Sequence, residues 1–476
     1  MTRRLSVSFG LALLALSCRG GSAPPSPRPS LGAPRSGNGL SVLLITIDTL
    51  RADHLGVYGY KRPTSPHIDA FAGRGTVFDR AYTFWPKTRG SFVMMMTGLR
   101  PSQNGYSKAH QALLDFNPTL ASVLHEAGYR TAAILDNPNL ARQHGYARGF
   151  DSYRETWEDK GLPDSEAARA RAITEGGIAY LRAARPDAPF FLWLHYVNPH
   201  APYTPPPPFD RMFADGAEVG PRLPAVSGFH GGVKKEWAVP GQARLGYYVS
   251  QYDGEIAAVD DEVGRLLEGL GRSAVAGKTA VVLTSDHGES LGEHDYYFDH
   301  GEDVFDPCLS IPMMIVLPGA PAGRRASTLS STLDVLPTIL DAVKVSYPPD
   351  LAGTSVLPAV VSGGGPARDR LFAQNDRNLS ATFDGRLKLV STPLDSGAAR
   401  LALYDRTLDR GETRDVSAGN AEPLRVARRE LELFLDRAER EWPRTHQRSE
   451  GAATPQPLTD DECERLRALG YVDHCP

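Results

Sequence analysis

Two apolar, β-branched runs constrain this chain more than anything else in it. One ends at Asp48 in LLITIDTLRADHLGVYGY, and the other ends at Asp286-His287 in VVLTSDHGESLGEHD, about 240 residues later. A short continuous apolar run reads as a strand buried on both faces, as in parallel sheets. Each run therefore delivers its hard ligands to the point where a parallel strand ends, which is where open α/β sheets bind ligands. Two carboxylates and an imidazole converging there can hold one divalent cation, and a cation at a sheet edge suits the binding of an anionic ester.

The text between and beyond these runs predicts the rest of the architecture. Strand-like runs at 40–47, 131–135, 190–196 and 279–285 alternate with helical stretches at 65–74, 118–127, 165–184 and 245–270. That order predicts an α/β body over 40–345, a mostly parallel sheet with helices on both faces. Residues 201–240 contain PYTPPPPF and lack periodicity, so they are expected to form a rim or lid. Residues 346–445 read as a smaller α+β domain, with strands near 371–374, 379–383, 386–391 and 401–404 and a charged helix from 422 to 441. Residues 446–476 read as a tail carrying the helix-like DDECERLRAL. A chain of 476 residues, 41% hydrophobic, can bury a large core in two or three domains. Its net charge of -4 favours neither nucleic acid nor an acidic membrane surface as a partner.

The N-terminus predicts export. Arg3 and Arg4 precede the apolar run Leu5 to Leu16, too short to span a bilayer and laid out like a secretory signal. Ala15-Leu16-Ser17-Cys18 resembles a bacterial lipobox, with Ala15 where Leu is preferred. We expect residues 1–18 to be a signal ending at a lipid-anchored Cys18; the alternative is an ordinary cleaved signal with an incidental cysteine. Residues 19–39 are nearly all Gly, Ser, Pro and Ala, which makes a tether to a membrane-anchored, periplasmic or cell-surface body. Cys463 and Cys475 lie close enough in sequence to pair in an exported chain, or to remain two free thiols.

From Asp48 onward the chain resembles the sulfatase family of the alkaline-phosphatase-like superfamily. The matching stretches run in the family's order: IDTLRADHLGVYGY, TSPHIDAFAGRGTVFDRAYT, MMMTGLRPSQNGY, PFFLWLHYVNPHAPYTPP, SDHGESLGEHD, HGEDVFDPCLSIPMMIVLPG and STLDVLPTILD. GRLKLV and LYDRTLDRGETRDV resemble its C-terminal domain, and LRALGYV its closing tail. The resemblance implies a three-layer α/β sandwich and a metal-dependent hydrolase of anionic sulfate or phosphate esters. It also implies a metal site at Asp48, Asp286 and His287. Thr49 stands where many sulfatases have a second aspartate. Ca is the ion the resemblance suggests, while one imidazole and two carboxylates also tolerate Mn or Zn.

The nucleophile departs from the family. Sulfatases carry Cys or Ser in C/S-x-P-x-R, converted to formylglycine, nine residues before the Thr of a Thr-Gly pair. Counting back from Thr97-Gly98 gives Thr88, with Gly90 at the pattern's Pro and Phe92 at its Arg; Ser91 is three positions out of register. Threonine cannot become formylglycine, and it has no second hydroxyl with which to expel sulfate. A phospho-threonine, by contrast, can be hydrolysed by water or passed to an acceptor alcohol. Relatives in the superfamily that act on phosphate diesters and phosphoglycerol groups use a metal-bound threonine. The expectation is therefore that Thr88 attacks the ester, the alternative being an inert remnant.

The resemblance extends to other residues. His200, in NPHAPY, matches the histidine that contacts ester oxygens or protonates the leaving group. His300 stands where many sulfatases have a lysine. The family's G-K-W-H lysine is missing, its place offering Asp136, Asn137 and Asn139, and Lys87 and Arg89 can supply anion-binding charge instead. We take Asn137, Lys87 and Arg89 as candidate substrate contacts. His195 is expected in the core and His294 in a loop near the cation. Two further readings are a phosphotransferase acting on glycan or lipid and a silent protein that binds anionic glycans.

Overall fold

A computed structural model describes residues 37–476 except 348, 366–367, 376, 378–379, 395, 397, 451–459 and 470–476. The proposed signal, Cys18, most of the tether and Cys475 lie outside the described residues. Among the described residues no helix is long and apolar enough to cross a membrane.

Eight strands make the central sheet: β1 Ser41–Ile47, β2 Thr76–Tyr82, β3 Arg130–Leu135, β4 Ser152–Glu155, β5 Phe190–Tyr196, β6 Thr279–Ser285, β7 Met313–Val316 and β8 Arg324–Ser331. Their order is β8-β2-β7-β6-β1-β5-β3-β4. All pairings are parallel except those of β7, which runs against β6 and β2. β1 lies at the centre between β5 and β6, and every one of its residues is buried. Its side chains alternate: Val42 and Leu44 join Phe191 and Trp193 in one core, whereas Leu43, Ile45 and Ile47 join Leu192 and Leu194 in the other. A strand that feeds two cores cannot alternate apolar with polar, which is why its sequence is a continuous apolar run.

Helices fill both faces. Helix α1 (Pro66–Ala72), α4 (Glu166–Ala183) and α5 (Leu245–Gly271) cover the Leu43 face. Helices α2 (Thr88–Thr97), α3 (Leu120–Glu126) and α6 (Val335–Val343) cover the Val42 face, joined by Leu431 and Phe434 of α7 (Ala421–Glu450). The result is the expected three-layer α/β sandwich. A second sheet of four antiparallel strands, β9 Leu371–Gln374, β10 Ser380–Phe383, β11 Leu387–Pro393 and β12 Ala399–Asp405, follows in chain order. Its Leu371, Ala373 and Val390 pack with Tyr82, Val304, Leu309 and Leu329 of the main body. The last described element is α8 (Asp460–Ala468). Segment 201–240 holds three short helical turns and two two-residue strands, Ala225–Val226 and Val233–Lys234.

Candidate active site

The parallel register assembles the acidic site. Ile47 of β1 pairs with Ser285 of β6, so Asp48 and Asp286, the next residue on each strand, emerge side by side at the carboxyl edge. His287 follows Asp286, and all three side chains are fully buried. One ligand atom from each lies within 4.8 Å of the others. His287 Nδ1 donates to the carbonyl of Gly288 at 2.9 Å, which leaves the lone pair on Nε2. That lone pair sits 3.3 Å from Asp286 Oδ2 and 3.7 Å from Asp48 Oδ1, two buried oxygens that accept no hydrogen bond. Acceptors facing acceptors in a buried site require a cation or protons between them. Burial and the neighbouring Asp48 charge push Asp286 up to about 6. Burial opposes ionisation of Asp48 too, but its hydrogen bond with His195 and the nearby imidazoles of His200 and His287 outweigh that and hold it low. The donor set and its orphaned oxygens fit one divalent cation.

Neighbouring elements hold these ligands. Ser285 Oγ donates to the His287 carbonyl at 2.6 Å and accepts from the Leu50 N–H at 3.1 Å, locking the two strand ends together. Asn137 follows β3 and donates to Asp48 Oδ2 at 2.6 Å, which braces that carboxylate. Asn137 also caps the turn Pro138–Leu140, accepting from Asn139 N–H. His195, next to last on β5, lies 3.5 Å from Asp48 Oδ2 and 3.0 Å from Thr46 Oγ1. It is buried, as expected, yet it borders the site. Thr49 adopts φ 52°, and its buried hydroxyl has no partner.

Thr88 opens α2 and is fully buried, with Oγ1 3.2 Å from His287 Nε2. The first amides of a helix carry unsatisfied N–H groups and a positive dipole end, a setting that favours an anion. The two departures from the formylglycine pattern have structural causes. A Cβ on Gly90 would meet the indole of Trp85 at 2.3 Å, so that ring occupies the space of any side chain there. Phe92 lies wholly inside the core, its ring 5.0 Å from His195 and 5.2 Å from Trp193, so no charge could stand in its place. Ser91 spends its hydroxyl on the Asp286 carbonyl at 2.8 Å and belongs to the scaffold.

The two further histidines close around this centre. The ring of His300 lies 4.1 Å from His287 and 5.1 Å from His200. His200 Nδ1 donates to the Ala201 carbonyl, and burial lowers its pKa, leaving a neutral ring with its lone pair on Nε2. Burial, with His287 and His200 nearby, holds His300 neutral as well. His300 Nδ1 meets Glu289 Oε1 at 3.0 Å, and burial pushes this carboxyl well above its ordinary range. A protonated Glu289 donating to Nδ1 leaves the His300 proton on Nε2, which makes the pair a proton donor. Glu289 went unnoticed in the sequence. Its signal was an acid two residues beyond His287, in a stretch otherwise of Gly and Ser. Arg51, also overlooked, is buried; it grips Asp53 and Glu293 and donates to the Glu289 carbonyl at 3.0 Å.

Lys87 and Arg89 flank Thr88, half-buried, along a cleft of about 80 Å³ that is also lined by Asn139 and Leu466. Arg89 contacts His144 Nε2 at 3.2 Å, and the stem of Lys87 runs beside Gly301. Asn139 Nδ2 is buried without a partner. Asp136 is taken by Arg169 at 2.8 Å. His294 departs from expectation: it stacks on Phe305 at 3.6 Å, on the side of the second sheet rather than at the cation site. A cavity of about 440 Å³ beside Arg171, Glu175, Phe209 and Glu262 contains none of the site groups.

A family model described as Sulfatase matches residues 41–345. An arylsulfatase of Clostridium perfringens is 25% identical over 399 residues, 70% of this chain and 81% of that protein. Among solved structures, a protein in complex with its substrate D-glucosamine-2-N,6-O-disulfate superposes with a TM-score of 0.71 at 21% identity, over 84% of this chain and 98% of that one. A phosphonate monoester hydrolase of Agrobacterium radiobacter superposes with a TM-score of 0.69 at 21% identity, over 84% and 96%.

Proposed function

The chain belongs to the sulfatase family of ester hydrolases, and on that premise we propose that it is a metal-dependent hydrolase in which Thr88 is the nucleophile and phosphorus esters are the preferred substrates. The observation that carries the proposal is Thr88 Oγ1, 3.2 Å from His287 Nε2 at the start of α2, beside two buried carboxylate oxygens with no hydrogen-bond partner. Asp48, Asp286 and His287 would hold the cation. When bound, it supplies positive charge that favours an ionised hydroxyl and stabilises the ester's nonbridging oxygens.

The chain's own groups account for the remaining chemistry. Lys87, Arg89 and the first amides of α2 draw the anionic ester to Thr88. Thr88 Oγ1 forms a bond to phosphorus as the bond to the leaving oxygen breaks, and its hydroxyl proton passes to water in the cleft that reaches Thr88. The leaving oxygen takes a proton held by the Glu289–His300 pair, with the neutral His200 beside it. Water then attacks the phospho-threonine and regenerates the hydroxyl. A sulfo-threonine lacks the formylglycine route, in which a second hydroxyl expels sulfate, so sulfate esters turn over poorly. We place this machinery in residues 40–345, with 346–445 as a supporting subdomain, and we propose that Cys18 anchors the exported protein to the membrane.

The test is a panel of aryl sulfate, phosphate monoester, phosphodiester and phosphonate substrates with Ca, Mn and Zn, on the wild type and Thr88→Ala. Phosphorus esters are expected to turn over and Thr88→Ala to lose nearly all activity. Efficient aryl sulfate hydrolysis by the wild type would refute the threonine argument. Inert behaviour with retained binding of an anionic glycan would establish a binding protein instead.

A further inference from the structure

The nucleophile is sealed in. Thr88, Asp48, Asp286 and His287 are fully buried, and His200 and His300 are 2% and 4% exposed. The cleft that reaches Thr88 is walled partly by α8, an element far away in sequence. Cys463 and Leu466, one turn apart on that helix, are buried, while Glu464 and Arg467 face outward and pair at 2.6 Å. Cys463 is disulfide-bonded, and its partner lies outside the described residues. Helix α8 packs on the turn Pro138–Leu140, which carries Asn139 with its buried, unpartnered amide. Leu466 is thus an aliphatic side chain, fully buried, in the wall of a cleft whose other sides are Lys87, Thr88, Arg89, Gln111, Asn139 and the ring of Tyr106.

Size decides what such a cleft can take. Sites that enclose a drug-sized ligand typically measure roughly 300–1,000 Å³. This one measures about 80 Å³, room for the anionic head of an ester and for little of what it is attached to. We infer that Leu466, presented by α8, is a size-selecting residue, and that the site takes esters with small leaving groups and excludes those borne on oligosaccharides. The inference rests on the ester reacting at Thr88, as proposed above. It names which class of ester reaches that hydroxyl.

The test reads access to position 88 without relying on turnover. Thr88→Cys would be labelled with methyl methanethiosulfonate and with fluorescein maleimide, alone and combined with Leu466→Ala or the volume-conserving Leu466→Met. The parent protein supplies the background from Cys308, which is fully buried. With Leu466→Ala the bulky reagent should react at least about tenfold faster, the change produced by ~1.4 kcal/mol of barrier. The small reagent should change by less than about twofold, and Leu466→Met should behave as the Leu466 background does. Equal labelling by the bulky reagent with Leu466 in place would overturn the inference, as would a parallel rise for both reagents. Failure of the nucleophile assignment shows up separately, as turnover surviving in Thr88→Ala.

Discussion

Replacing Lys388 by methionine should destabilise the protein by about 3–5 kcal/mol at pH 8 and far less at pH 5. Lys388 is fully buried on β11, with Nζ 2.8 Å from Glu412 Oε1 and 3.0 Å from Asp306 Oδ1. Asp306 keeps a second cation, since Arg406 approaches its oxygens at 3.2 Å. Glu412 is left with the Asp306 N–H at 2.7 Å, and a buried carboxylate stripped of its ammonium bears its desolvation cost alone. Burial and the charge of Asp306 already push Glu412 up to about 7 with Lys388 present, and losing the ammonium raises it further. A carboxyl raised in this way gives stability that is complete below its ordinary 4.5 and is lost as pH rises through its folded value. At pH 5 Glu412 is already protonated in both proteins, so little is lost; at pH 8 the variant must ionise it in the core or hold an unfavourable proton. Urea unfolding of the wild type and Lys388→Met at the two pH values measures the difference. An equal loss at both, or none at pH 8, would refute the reasoning. The cluster matters for function because Asp306 lies just beyond His300 and ties that segment to the second sheet.

Asp286→Asn should reduce bound divalent metal, read by elemental analysis, by at least the roughly 10–100-fold typical of losing a supporting group, and should remove activity with it. Asn137→Leu should weaken metal binding by about 10–100-fold, because the brace on Asp48 is lost, and should cost about 1 kcal/mol of stability with the cap on the Asn139 N–H; unchanged affinity would assign Asn137 to the substrate. Burial pushes Glu255 up to about 7, so the wild type loses up to about 3 kcal/mol of stability as pH climbs from its ordinary 4.5 through 7. Glu255→Gln should match it near pH 4.5 and exceed it at pH 8, with Asn198, whose Oδ1 has no partner, turning to meet the new amide; a pH-independent difference in urea unfolding would contradict this. Cys18→Ser should move the protein from the membrane to the soluble fraction, and unchanged fractionation would leave a plain signal.

The parts of the fold that could be read from sequence are those whose burial is two-sided. β5 and β6 match their sequence-based bounds, and β1 does so within a residue, because strands between two cores must be apolar throughout. The strands β2, β4 and β8 were not read. TVFDRAY, SYRE and RRASTLSS carry polar residues, since they lie towards the sheet's ends where one face meets solvent, and β7 is four residues long and runs against its neighbours. Asp48, Asp286 and His287 were legible because a strand end fixes where the next residue goes. The hydrogen bond from Asn137 to Asp48 was not legible, since it depends on the turn at Pro138–Leu140 that aims the amide at that carboxylate. Glu289 meets His300, and Leu466 reaches the cleft at Thr88, only through the tertiary fold, which no local pattern encodes.

The central claim, that Thr88 carries the group in flight, is tested most directly by acid-quenching the metal-loaded enzyme during turnover of a phosphodiester or phosphonate and mapping the peptides by mass spectrometry. The account predicts a phosphoryl or phosphonyl group on Thr88, absent from Thr88→Ala and present when the ester is supplied in excess. Steady turnover with residue 88 unmodified, undiminished in Thr88→Ala, would contradict it.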